Sequence, residues 1–166
     1  MKVSLCLNRT MQSLNLSLQE TFAANNACFG CGPSNQEGLR LRSFVAGTHL
    51  VATFQGQQKY EAFPGMLNGG IIGALLDCHC NWTGAWHLMQ EQKLATPPCT
   101  VTGDYHIKLL RPTPSTVMLN LSAWVIEASE RKTIVQGEIR ASDIVCAICL
   151  GTFIAVKPGH PAYHRW

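Results

Sequence analysis

Residues 63–92 read FPGMLNGGIIGALLDCHCNWTGAWHLMQEQ, and this stretch decides the fold. From Gly69 to about Gln92 it has the length of a long helix, and its residues are apolar on nearly every side of that helix. A helix of this kind is normally buried inside a folded protein. The stretch is also long enough to cross a bilayer, but Asp77 near its middle would cost about 2.5 to 3.5 kcal/mol there. We therefore predict a central helix covered by protein.

Segments with strand character lie on both sides of this helix. Residues 39–44 and 49–54 alternate in polarity around Gly47, which predicts a β-hairpin. Four segments rich in β-branched and aromatic residues follow the Pro97-Pro98 break, at 99–109, 116–127, 132–141 and 144–156. Residues 12–24 have the spacing of a short amphipathic helix, and residues 25–38 are a loop rich in Gly, Asn, Pro and Ser. The order predicts an α+β fold in which an antiparallel sheet wraps around one long helix.

The segment 99–109 alternates strictly between apolar and polar residues. The apolar residues are Val101, Tyr105, Ile107 and Leu109, and the polar residues are Thr100, Thr102, Asp104, His106 and Lys108. Because successive side chains of a strand point to opposite faces, we predict one apolar and one polar face along its whole length.

Composition favours one domain and argues against several functions. The 166 residues, 46% of them hydrophobic, suffice for one hydrophobic core and therefore one domain. We divide this domain into an N-terminal helix and loop (1–38), a sheet core (39–156) and a tail (157–166). The net charge of +3 is scattered, so we expect no nucleic-acid partner. Arg9 interrupts the apolar run that a secretory signal would need, and we expect a cytoplasmic protein that does not bind membranes and keeps most of its eight cysteines reduced.

The candidate catalytic residues lie at the start of the helix and at the acid within it. Asn68 is followed by Gly69 and Gly70, and a glycine pair that opens a helix leaves backbone N–H groups accessible to a carbonyl oxygen or an anion. These are the donors that an oxyanion hole needs. Asp77 lies among apolar residues, where burial raises a carboxyl pKa and makes the group a better base. A structural alternative stays open: Asp77 could simply be hydrogen-bonded by Asn81 or Thr83.

These residues resemble the signature of the PaaI-like hotdog thioesterases, in which His-Gly-Gly at the helix start precedes an Asp or Glu on the same helix. The loop CFGCGPSNQEGLRL, the strand end LLRPTP at 109–114 and the segment GTFIAV at 151–156 are similar to that family as well, so the resemblance covers about residues 25–156. It implies a protein with the hotdog fold that hydrolyses acyl-coenzyme A thioesters without a cofactor. It also implies a homodimer or homotetramer with active sites shared between subunits.

Carried to this chain, the resemblance implies that Gly69, with Gly70, polarises the thioester carbonyl, and that Asp77 attacks it or activates water. Asn68 replaces the family's histidine, so it can position groups but cannot act as an acid or base at neutral pH. Asn81 falls one turn after the acid and could orient it or a water. A hotdog dehydratase, a non-catalytic acyl-CoA-binding module and a scaffold are the alternative functions.

The cysteines suggest a second kind of site. Cys28-x-x-Cys31 has the spacing of half a zinc site, for which Cys78, His79 and Cys80, or Cys146 and Cys149, would have to supply the rest. Neither set has a good chelating geometry within its own element, and we expect no metal. We also expect His79 to be a hydrogen-bonded core or interface histidine.

Overall fold

The computed structural model describes residues 16–166. Its helices and strands are α1 (Leu18–Phe22), β1 (Phe44–Ala46), β2 (His49–Gln55), β3 (Glu61–Phe63), β4 (Met66–Leu67), α2 (Gly69–Glu91), β5 (Thr100–Leu109), β6 (Met118–Ala128), β7 (Lys132–Ala141) and β8 (Ile144–Ala155). Six strands form an antiparallel sheet in the order β1-β2-β6-β7-β8-β5, and β3 pairs with β4 ahead of α2. The predicted antiparallel sheet around one long helix is confirmed, and the four strands after α2 lie close to their predicted bounds.

The helix α2 is held by burial against the sheet. Of its 23 residues, 14 are buried, and Leu75, Leu76, Trp82 and Leu88 are at most 1% exposed. Burying one such aliphatic side chain contributes roughly 1.5 to 3 kcal/mol, so these contacts fix the helix in place. Despite its length, α2 does not meet the hydropathy expected of a membrane-crossing helix, and neither does any other helix within residues 16–166.

The predicted hairpin and first helix are shorter than expected. Residues 39–43 are not a strand, because Leu39 and Leu41 donate their backbone N–H groups to the carbonyls of Phe29 and Gly30 in the preceding loop (2.7 and 3.0 Å). Arg40 between them has φ of 56°, which breaks an extended strand. The helix predicted at 12–24 is α1, which follows the N-cap Ser17 and contains Glu20, the second residue of its capping box; residues 12–15 lie outside the described part.

The strand β5 departs from the predicted alternation at Gly103. Thr102 pairs with Phe153 of β8 and Asp104 pairs with Thr152, so Gly103 is the extra residue of a β-bulge. The bulge reverses which side chains face α2: Thr100 and Thr102 face it before the bulge, and Tyr105, Ile107 and Leu109 face it afterwards. The prediction of one uniform polar face was therefore wrong. Asp104 and His106 are exposed on the side away from α2.

A buried polar network through His79 joins α1, Ser43 just before β1, β2 and α2. The imidazole is 0% exposed, with Nδ1 at 2.9 Å from the Ser43 hydroxyl and Nε2 at 3.2 Å from the Leu50 carbonyl. Gln19 donates its side-chain amide to the same hydroxyl and accepts the Ser43 backbone N–H. Of the two predicted roles, core or interface, the structure shows the hydrogen-bonded core histidine. Burial lowers the pKa of His79 from 6.5 to about 4, against the opposing effect of the Leu50 carbonyl.

We predict that His79 makes the protein sensitive to mild acid. Between pH 6.5 and about pH 4 the unfolded chain binds a proton at this residue and the folded chain does not. The free energy of unfolding therefore falls as pH falls through this range, by up to about 3 kcal/mol, and His79 adds no further loss below it. Urea unfolding of wild type and His79→Gln from pH 7.5 to pH 4 measures the effect. Equal pH dependence in two folded proteins would contradict it.

Candidate functional site

The first turn of α2 is capped by Asn68. Its backbone is extended (φ −64°, ψ 139°), its side-chain oxygen accepts the Gly70 N–H at 2.7 Å, and its carbonyl accepts the Ile71 N–H at 3.1 Å. Because the N–H groups of the first turn have no partner within a helix, each needs another acceptor. We find none for Gly69 among the described residues. Asn68, Gly69 and Gly70 are all exposed, so a ligand can approach the Gly69 N–H.

This arrangement separates the two glycines that sequence alone grouped together. Gly70 already donates to the Asn68 side chain, so the Gly69 N–H is the better donor to an incoming carbonyl oxygen. Asn68 holds this turn in shape through its cap, which is a positioning role and needs no proton transfer. The partial positive charge of a helix N-terminus adds to the attraction for a developing oxyanion.

Asp77 lies two turns further along α2, half-buried against β5. The Thr102 hydroxyl donates to its Oδ1 at 2.6 Å. Burial is the largest effect on the carboxyl and raises the pKa of Asp77 above 3.8, while the hydrogen bond from Thr102 opposes that rise. Smaller effects come from Cys28, which raises the pKa, and Arg165, which lowers it. The result is a partly desolvated carboxylate with a raised pKa, the property expected of a general base.

Asn81 is linked to Asp77 indirectly, through Thr102. The Thr100 hydroxyl donates to Asn81 Oδ1 at 2.6 Å, and Asn81 Nδ2 lies 3.5 Å from the Thr102 hydroxyl. The chain Thr100, Asn81, Thr102 and Asp77 therefore links α2 to β5. The structural alternative, in which Asn81 or Thr83 is the hydrogen-bond partner of Asp77, was wrong. Neither residue is hydrogen-bonded to Asp77, and Thr83 donates instead to the His79 carbonyl at 2.8 Å.

Thr100 and Thr102 are the residues of this candidate site that sequence reasoning missed. Both were noted in the polar alternation of 99–109, but nothing local indicated that they face the helix while Asp104 does not. The glycine at 103 was the available signal, because an isolated glycine inside a strand pattern often marks a bulge.

A row of apolar side chains from β5 runs along α2 between Gly69 and Asp77. A β-carbon at Gly73 would lie 3.5 Å from Ile107 Cδ1 and 3.8 Å from the Tyr105 hydroxyl, and one at Gly69 would lie 3.3 Å from Leu109 Cδ1. Tyr105 and Leu109 nevertheless keep 48% and 57% of their surface exposed. The surface beside the candidate site is therefore apolar and open.

No protein-family model and no curated protein matches this chain. Many solved structures do match it. One is a thioesterase superfamily protein from Shewanella loihica PV-4, at 28% identity over 70% of this chain and 91% of that one, with a TM-score of 0.61. The chain has the hotdog fold of the thioesterase superfamily.

More distant hotdog structures show the same architecture. The PaaI protein of Escherichia coli, from its phenylacetic acid degradation operon, is 18% identical over 72% of this chain and 81% of its own, with a TM-score of 0.57. A Streptococcus mutans UA159 protein bound to acetyl-CoA is 15% identical over 70% of this chain and 88% of its own, with a TM-score of 0.58. The resemblance to PaaI-like hotdog proteins that the sequence indicated is confirmed in the fold.

The hotdog chain also brings together cysteines from distant segments. The sulfurs of Cys28, Cys31 and Cys78 lie within 4.8 Å of one another. His79 and Cys80, the neighbours of Cys78 that we considered as ligands, point elsewhere: His79 into its buried network, and Cys80 towards Cys149. Of the possible partners for the CxxC pair, only Cys78 joins this cluster.

Two cavities lie away from Asp77. One, of about 870 Å³, is lined by Trp86 and His87 of α2 together with Trp124 and Glu138 of the sheet. The other, of about 540 Å³, lies between the end of α2, the start of β5 and the C-terminal tail. Neither of these two cavities includes the Gly69 to Asp77 surface.

We predict that Thr102 lowers the pKa of Asp77. In Thr102→Val the ionised carboxylate loses its donor while remaining buried, so its pKa should rise above the wild-type value; Thr102→Ser keeps the hydroxyl and should stay close to wild type. Carbon-13 NMR of aspartate-labelled protein, with Asp77→Asn to assign the signal, measures this directly. An unchanged or lower Asp77 pKa in a folded Thr102→Val protein would show that the hydrogen bond has no such effect.

Proposed function

We propose that the protein is an acyl-CoA thioesterase with Asp77 as its catalytic carboxylate and Gly69 as the oxyanion donor. The observation that carries the proposal is the state of Asp77: a half-buried carboxylate with a raised pKa, held by Thr102 beside an open apolar surface. Burying a carboxylate costs free energy, and Asp77 is hydrogen-bonded by Thr102 with no ion pair to it among residues 16–166. The acetyl-CoA bound to the distant S. mutans hotdog protein supports a CoA ester as the class of ligand.

The proposed reaction needs few groups. Hydrogen bonding from the Gly69 N–H polarises the thioester carbonyl and stabilises the oxyanion that forms. Asp77 removes a proton from the attacking water, or attacks the acyl carbon and is later released by water. The C–S bond breaks in either case, and water supplies the hydroxyl of the carboxylic acid product. Since a thiol with a pKa of roughly 8.5 leaves as a thiolate, no strong acid is needed beside it.

Helix geometry separates the two groups within one chain. Gly69 and Asp77 are eight residues apart in α2, which corresponds to about 12 Å along the axis. A two-fold axis that brings Gly69 of one chain to Asp77 of another would solve this, and each dimer would then hold two equivalent sites.

The edge strand β5 supports such a dimer. It lies at the end of the six-stranded sheet and is 10 residues long, with exposed Tyr105 and Leu109. A long apolar edge strand is normally paired or covered by another element, because its unpaired backbone groups would otherwise bind another chain. Within one chain, Gly69 lies beside Leu109 near the end of β5, whereas Asp77 is bonded to Thr102 near its start. Antiparallel pairing of two β5 strands would set the end of one beside the start of the other, and so bring Gly69 of one subunit towards Asp77 of its partner.

We predict that Asp77→Asn lowers thiol release from acyl-CoA at least about a hundredfold, the size expected for the loss of a base or nucleophile. The assay uses a panel of short, long and aromatic acyl-CoAs. Asp143→Asn, which changes an exposed carboxyl in the turn between β7 and β8, is the matched control and should keep wild-type activity. Near-wild-type turnover by folded Asp77→Asn would overturn the assignment. Acyl-CoA bound but left intact by the wild type would indicate a binding module instead.

We predict that two inactive variants restore each other if the site is shared. Asp77→Asn lacks the carboxylate, and Gly69→Val should block the oxyanion donor; Gly69 is exposed and its nearest neighbour is the flexible end of Leu109, so the fold should persist. After subunit exchange about half the dimers are mixed, and each has one intact site, which gives roughly a quarter of wild-type activity. Each variant alone is the control. No recovery despite proven exchange would place the whole site within one chain.

A further inference from the structure

The cluster of Cys28, Cys31 and Cys78 is not used by the proposed reaction. Cys28 and Cys31 belong to the loop before β1, and Cys78 belongs to α2, next to Asp77. Cys31 and Cys78 are 1% and 8% exposed, whereas Cys28 is half-buried. The Cys28 and Cys78 sulfurs lie 3.7 Å apart, and all three lie within 4.8 Å of one another.

We propose that these three thiols bind a zinc ion that fastens the CxxC loop to α2. In tetrahedral zinc sites the Zn–S distance is about 2.3 Å, which sets neighbouring sulfurs about 3.8 Å apart. The Cys28–Cys78 separation matches this edge, and the limit of 4.8 Å on the other pairs leaves them within reach by small side-chain rotations. Cys28 is the one partly exposed thiol of the three, so the fourth position would lie on its side of the cluster. The sequence led us to expect no metal; the third thiol, brought in from α2, changes that expectation.

The loop is shaped to deliver the two thiols of the CxxC pair. The Asn26 side chain accepts the Cys28 N–H at 2.7 Å, and the Cys28 carbonyl accepts the Gly32 N–H at 2.8 Å. A β-carbon at Gly30 would collide with the Cys78 sulfur, and one at Gly32 with the backbone of residues 26–28. Glycine is therefore required at both positions for the loop to approach α2 this closely.

A buried donor also faces the cluster. The Trp82 indole N–H donates to the Cys31 sulfur at 3.3 Å, from one turn further along α2. Hydrogen-bond donors of this kind orient the ligands in many metal sites. Three thiolates and Zn²⁺ carry one net negative charge, so the complex needs only modest further compensation.

The metal content of the purified full-length chain tests the proposal. Protein prepared without chelators and analysed by elemental mass spectrometry should hold about one zinc per chain, and Cys28→Ser or Cys31→Ser should lower that content roughly tenfold. Cys99→Ser, a half-buried cysteine outside the cluster, is the matched control and should retain the zinc. Less than about a tenth of a zinc per chain in the wild type, both as purified and after incubation with zinc followed by desalting, would overturn the proposal.

Two further measurements keep the test decisive if a variant folds poorly. Cobalt added to chelator-stripped wild type should give the sulfur-to-metal charge-transfer absorption of a thiolate site, and zinc should displace it. Chelation should lower the melting temperature of the wild type by several degrees and leave Cys28→Ser unchanged. A wild-type chain that binds no cobalt, or whose mass is lower by two hydrogens because two of these thiols form a disulfide, would contradict the metal site. Neither outcome depends on thioesterase activity.

Discussion

The structure depends on the burial of α2 against the sheet. Cys80 of this helix packs against Gly137 of β7, and Gly84 of the helix packs against Thr133 of β7. A β-carbon at either glycine would collide with the facing side chain. Such close packing leaves the helix little freedom to slide or rotate. The positions of its first turn, of Asp77 and of Cys78 relative to the sheet follow from this packing. A mutation that loosens the helix would therefore move all three at once.

A buried helix has to satisfy its polar groups from neighbouring elements, and it does so in two ways. His79 turns to the Ser43 hydroxyl and the Leu50 carbonyl and becomes part of the core. Asp77, two residues earlier, turns to β5, where Thr102 is its hydrogen-bond donor and solvent is still accessible. The same helix thus carries a neutral structural histidine on one side and a carboxylate with a raised pKa on another. The difference comes from the partners and the burial on each side rather than from the residues alone.

The bulge at Gly103 joins the two halves of the candidate site. Ahead of it, β5 presents threonine hydroxyls to α2, and after it the strand presents Tyr105, Ile107 and Leu109. A regular strand could not place both groups on the same side, because its polar and apolar residues would then keep to opposite faces. One extra residue therefore provides both the donor that orients Asp77 and the apolar surface beside it.

The sequence by itself determined the order of α2 and the strands of the six-stranded sheet, the extent of α2, the glycine pair at its start and Asp77 within it. These features are local: hydrophobic periodicity, strand composition and turn residues act over a few neighbouring positions. Only the tertiary structure decided that residues 39–43 pair with a loop, that Thr100 and Thr102 reach Asn81 and Asp77, and that Cys78 meets Cys28 and Cys31. Each of these depends on how segments some 10 to 50 residues apart pack together, and the periodicity within a single segment contains no information about the face that a distant segment will present to it.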